Sequence, residues 1–172
     1  MILDPEVTIK TMASVVPGEL FAFNLKSHRA IGLAAAADPN GVVIIVLRTD
    51  ETGVPCPIAI DLSNRGHCIS FGKDWVLQVR PGLESVPGNR SEWNAPGSIY
   101  VGVGGARLYA PWQDGFHHSS GVTFDLATST IIAEADDGIP HLSWAIWSSA
   151  AERDRPGAVP LVEFTGVSKR SA

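Results

Sequence analysis

The densest set of reactive side chains lies between two backbone punctuators: Pro111-Trp112-Gln113-Asp114-Gly115-Phe116-His117-His118-Ser119-Ser120-Gly121. Imidazole titrates near neutrality, so a histidine oriented by a carboxylate can act as a general base or ligate a metal. Asp114, His117 and His118 are therefore the catalytic candidates, for metal-assisted hydrolysis or isomerisation of a small molecule. Adjacent residues of an extended chain point to opposite sides, so His117 and His118 share a site only if the backbone turns between them. The His-x-His pairing and downstream Glu of cupin metal centres are absent, and no metal site is assigned. A hairpin loop without chemistry accounts for the same residues, and enzymatic activity stays open.

Other reactive groups have plainer explanations. His67 and Cys68 are neighbours and face apart on a strand, whereas a thiol–imidazole dyad draws its members from different elements. Cys56 and Cys68 lack the Cys-x2-Cys or His-x3-His company of a zinc site. They read as small buried hydrophobes, with a disulfide only in an exported protein. No Gly-x-Ser-x-Gly elbow occurs. Gly102-Val103-Gly104-Gly105 fits neither a phosphate-binding loop nor a dinucleotide fingerprint and reads as a tight hairpin turn. Nothing calls for a cofactor.

A softer signal comes from the aromatics. Tyr100, Arg107 and Tyr109 fall on the polar side of one hairpin, with Gln78 and Arg80 on a possible neighbouring strand. On the segment from His141 to Trp147, Leu142, Trp144 and Ile146 form the core face, and His141 and Trp147 the more polar one. Trp147, Tyr100, Arg107, Tyr109 and His141 are the candidate ligand-binding residues, suited to a sugar or another flat small molecule. Cross-strand packing and subunit contacts use such residues equally well.

The elements that carry these groups are strands. Leu20 to Leu25 places Phe21, Phe23 and Leu25 on one face. Arg29 to Ala37 passes through Asp38-Pro39-Asn40-Gly41, a turn that favours positive φ, into Val42 to Arg48. The unbroken apolar return strand predicts burial on both faces. Alternation recurs at 58–62, 74–80, 98–103, 106–110, 122–126, 131–135, 141–147 and 159–164, spaced by short turns. This predicts an all-β fold: a single-domain antiparallel sandwich or jelly roll, or a barrel, of about ten to twelve short strands. At most one or two short helices are expected, the best at Ser149 to Asp154, where Ser149 and Glu152 have capping-box spacing. One domain spans 1–172, with residues 1–16 as an N-terminal arm and 166–172 as a fraying tail. The irregular 81–96 stretch, carrying Glu84, Arg90 and Glu92, is long enough to act as a lid.

Composition sets the bounds. Of 172 residues, 45% are apolar and 18% charged, with a formal net charge of −5. That excludes disorder. Val, Ile and Thr number 37 against 16 for Glu, Lys, Gln and Met, which argues against a helical bundle. No basic cluster suggests nucleic acid, and no apolar run suggests a membrane span. The N-terminus, Met1-Ile2-Leu3-Asp4-Pro5-Glu6, is unlike a secretory signal, so a soluble cytoplasmic protein is expected. The charged fraction falls below the usual ~25%. Buried subunit surface would explain that shortage, so the leading expectation is a non-catalytic ligand-binding or assembly domain that forms a homo-oligomer. An enzyme using the 111–121 loop and a carbohydrate-binding module are the alternatives.

Overall fold

The apolar run Val42 to Leu47 organises the fold. In a computed structural model, residues 7–37, 41–54, 56–61, 66–80, 82, 86, 95–112, 121–132 and 138–166 are described. The first half of the chain supplies strands β1 (Thr8–Thr11), β2 (Leu20–Leu25), β3 (His28–Ala37), β4 (Gly41–Thr49), β5 (Ile58–Asp61), β6 (His67–Gly72) and β7 (Val76–Val79). The second half supplies β8 (Ile99–Gly102), β9 (Gly105–Pro111), β10 (Gly121–Asp125), β11 (Thr130–Ile132), β12 (Ile139–His141), β13 (Ser143–Trp147) and β14 (Val162–Thr165). A 3-10 turn at Met12–Ser14 and one short helix, α1 (Ala150–Asp154), complete the described residues. The fold is all-β as expected, with fourteen strands where ten to twelve were read.

β3 and β4 pair antiparallel from Ala30↔Thr49 to Ala37↔Gly41, and their residues alternate between two cores. Leu33, Ala35, Val43, Ile45 and Leu47 enter the first; Ala30, Ala34, Ile44 and Val46 enter the second. The two-sided burial predicted for Val42 to Leu47 is therefore present. A strand with no polar face needs cover on both sides.

The first core lies within a ring of strands. β4 pairs with β5, Ala59 of β5 bridges Trp112 just after β9, and β9–β10–β11 returns to β3 through Thr130↔Ala36. Six strands thus close on themselves. The two closing joints are parallel, while the other strand pairs of the ring are antiparallel.

A separate sheet, ordered β14-β13-β7, adds Trp144, Ile146 and Val162 to the same core. Trp144 stacks on Phe164 with ring centroids 5.1 Å apart, and its indole N–H donates to the Gly97 carbonyl at 2.7 Å. Gly97 is required there twice over. Its φ is +85°, and a Cβ would lie 2.3 Å from the Phe164 ring.

The second core gathers Phe21 and Phe23, with centroids 5.3 Å apart, against Cys68, Ile58, Met12 and Val15. Residues 8–15 are tied into the fold at this core. β1 is an edge strand paired with β6, and Met12 and Val15 are core residues. Lys10 Nζ meets the buried Glu19 carboxylate at 2.6 Å, fixing β1 to the start of β2. Two local expectations hold. Ser149 Oγ accepts from the Glu152 N–H at 3.2 Å, capping α1. Gly102 faces Gly105 across a two-residue turn. Gly166 donates to the Leu142 carbonyl at 2.7 Å, while 167–172 and most of 81–96 lie outside the described residues.

If β4 is a wall between two cores, Ile44→Ala and Ile45→Ala should each cost about 2–5 kcal/mol in denaturant unfolding. A solvated face would reduce one of the two to about 0.5 kcal/mol.

Candidate functional site

The sheet formed by β1, β6, β2, β3 and β4 turns one face to the second core; its other face meets the first core through Leu20, Leu33 and Ile45 and, past that core, is open at Ile9 and Ile69. The outward residues are set by cross-strand register. Ile9 faces Ile69, Ile69 faces Ala22, Ala22 faces Ile31, and Ile31 faces Arg48. One row of side chains thus crosses five strands, apolar for four and ending in a guanidinium. Two residues further along each strand lies a polar row: Thr11, His67, Asn24, Arg29 and Asp50.

Solvated sheet faces ordinarily carry polar side chains. Here Ile9 is 62% exposed and Ile69 44%. With Ala22 and Ile31 half-buried beside them, they floor a groove of about 560 Å³. That volume falls within the ~300–1,000 Å³ of small-molecule sites. His67, Asn24, Arg29, Arg48 and Asp50 line it as well.

The rim charges are unequally committed. Asp50 accepts the Arg29 backbone N–H at 2.8 Å and the Arg29 Nε at 3.3 Å, and His28 Nδ1 lies 3.4 Å away. Arg48 donates one Nη1 hydrogen bond to the Leu161 carbonyl, at 3.4 Å, and faces no carboxylate among the described residues. Its exposed guanidinium keeps most of its donors free.

None of these groove residues was nominated from sequence. A signal existed in β6, where Cys68 and Ser70 point inward and His67 and Ile69 outward. With Cys68 read as a small buried hydrophobe and His67 facing away from it, alternation turns Ile69 to the same outward face as His67.

The nominated residues lie elsewhere. Asp114, His117 and His118 fall outside the described residues, as do Glu84, Arg90 and Glu92. Tyr100, Arg107 and Tyr109 do share one face, since Tyr100 pairs with Arg107 across β8 and β9. Tyr100 is only 3% exposed, however, and the Tyr109 ring lies across Gly121, within 2.3 Å of where a Cβ would stand. Arg107 Nε sits 4.0 Å from Asp125. Trp147 is in the smaller sheet, buried, its indole N–H donating to Gln78 Oε1 at 3.1 Å. Gln78 and Arg80 thus neighbour Trp147 and β14, not the tyrosine hairpin, and Arg80 pairs with Glu163. His141 pairs opposite Ile99, on the other face from Tyr100, with a buried Nδ1 that has no hydrogen-bond partner among the described residues. The five residues do not converge, and the buried rings of Tyr100 and Trp147 offer little surface for stacking.

The thiols are similarly withdrawn. Both cysteines are free. Burial pushes Cys56 up to about 11, partly offset by a backbone hydrogen bond from Thr49. Burial also raises Cys68, with Lys10 opposing and Glu19 reinforcing. Neither has the lowered pKa of a nucleophile. Among the described residues, no three His, Cys, Asp or Glu side chains cluster to hold a metal ion, and no helix is long and apolar enough to cross a membrane. No protein family, curated protein or solved structure matches the chain.

Burial, with the nearby Tyr109, pushes Tyr100 up to about 12 from an ordinary 10. A raised folded-state pKa means that the neutral phenol stabilises the fold below pH ~10 and that this contribution is lost as pH rises to ~12. Tyrosinate absorbance of the native protein should therefore show a late step near the top of that range, absent from Tyr100→Phe. Ordinary ionisation of Tyr100 would contradict its burial.

Proposed function

We propose that this protein is a non-catalytic binding domain whose binding face is the groove across β1, β6, β2, β3 and β4. One observation carries the reading: a continuous apolar row, Ile9–Ile69–Ala22–Ile31, on the outward face of a sheet, bordered by a polar row. Apolar surface left open in this arrangement is the usual mark of a ligand groove or interaction site. The withdrawn thiols and the scattered imidazoles His28, His67 and His141 give the described residues no nucleophile with its base, which favours binding over catalysis.

The test is a neutral apolar dye such as Nile red. The native protein should bind it with enhanced fluorescence. The paired variant Ile9→Thr/Ile69→Thr, which keeps β-branched residues on the strands, should lose most of that signal while its circular dichroism is unchanged. No enhancement by the native protein, or equal enhancement by the variant, would sink the proposal. Light scattering after gel filtration separates a small-molecule groove from a subunit interface. A monomer that binds dye supports the former. A dimer that dissociates in the variant would place a second copy on this face instead.

A further inference from the structure

We infer that the occupant of this groove is a single-chain amphipathic anion, an apolar chain with a carboxylate or similar head held at Arg48. The inference rests on the groove being the binding face and goes on to name what fills it.

Shape comes first. From Arg48 on β4 to Ile9 on β1 the apolar row crosses four inter-strand steps, about 19 Å at ~4.8 Å each. The floor is one side chain wide, because the next row along the strands is polar. That outline is long and narrow. With carbon–carbon bonds of ~1.5 Å, an extended chain of about a dozen carbons covers most of it. A flat sugar or a fused ring system would lie partly on the polar row and leave Ile9 or Ile31 uncovered.

Charge supplies the polarity. The groove is lined by two guanidiniums, Arg29 and Arg48, against one carboxylate, Asp50, in a chain of net charge −5. Asp50 is already engaged by Arg29 and lies near His28. Arg48 stands at one end of the apolar row without an acidic partner among the described residues. A guanidinium offers five N–H donors in a planar fork that matches a carboxylate. One is directed at the Leu161 carbonyl, which holds the side chain over the end of the row. An anionic head at Arg48 therefore directs the chain along Ile31, Ala22 and Ile69 toward Ile9. A cationic amphiphile would find the same floor, but the one carboxylate lining that end, Asp50, is already engaged by Arg29.

The test compares dodecanoate with dodecyltrimethylammonium, both below micelle-forming concentrations, by calorimetric titration of the intact protein. Dodecanoate should bind at least about tenfold more tightly, the effect of one charge-assisted contact. Arg48→Gln should weaken dodecanoate by about tenfold and leave the ammonium unchanged. Asp50→Asn, which removes the carboxylate but keeps an acceptor for the Arg29 N–H, should strengthen dodecanoate. Equal binding of the two amphiphiles, or indifference to Arg48→Gln, would overturn the anionic assignment. If Nile red still responds to Ile9→Thr/Ile69→Thr in that case, the groove stands and only its occupant is wrong. Loss of both signals removes the groove as well. Phosphatidylglycerol vesicles, assayed by flotation, should not recruit the protein, since the groove takes one chain and not a bilayer surface. Recruitment abolished by Arg48→Gln would overturn the inference in favour of a membrane.

Discussion

The fold depends on burying both faces of the β3–β4 hairpin. Val43, Ile45 and Leu47 point one way and Ile44 and Val46 the other, so the same strand serves as wall to two cores. Each core is built from strands distant in sequence that have no other reason to meet. β9, β10 and β11 close around one side, and β2, β6 and the Met12–Val15 segment pack on the other. Packing on the second side is close. A Cβ on Gly32 would lie 2.7 Å from Ile44 Cγ2 and 3.0 Å from Phe23 Cε1, so the aromatic layer rests directly on the β3 backbone. Apolar packing at that distance tolerates little added volume.

At that point the register of the hairpin also shifts, between Ile31 and Gly32. A bulge bends its strand and increases the twist. Beyond it Leu33 faces Ile45 inside the first core, whereas before it Ile31 faces Arg48 at the groove. The smaller sheet packs on the first core, and Leu161, the residue before β14, meets Arg48 through its carbonyl. The groove is therefore the continuation of a core face past the end of its cover. This gives a physical reason for isoleucines on an outward face: the rows belong to one apolar surface, of which the barrel uses one end.

How much of this was legible follows from range. Local signals read correctly: the two-faced apolar strand, the Leu142–Trp144–Ile146 core face, the Ser149 cap and the Gly102–Gly105 turn all depend on residues within a few positions. The closure through Thr130↔Ala36 joins residues far apart, and nothing in either short segment announces the other. The groove was illegible for the same reason, since its apolar row takes one residue from each of four strands. Tyr100 and Trp147 failed as surface aromatics because each sits on the weaker face of its strand by alternation, yet each is covered by packing that alternation does not record.

The low charged fraction was the strongest ground for expecting buried subunit surface. The two-core architecture offers another account of it. A sandwich of ordinary design buries one face of each sheet and solvates the other, and charged residues populate the solvated faces. Here the middle of the larger sheet has no solvated face, so the positions of β3 and β4 that would carry Lys or Glu carry Ala34, Ala35, Ile44 and Ile45. Much of the missing charge is missing from the interior wall. The apolar surface that still needs an explanation is thereby reduced to particular places, and one ordered example among the described residues is the row from Ile9 to Ile31. Because that row ends in a guanidinium with no acidic partner among the described residues, its chemistry asks for an occupant with one apolar end and one anionic end.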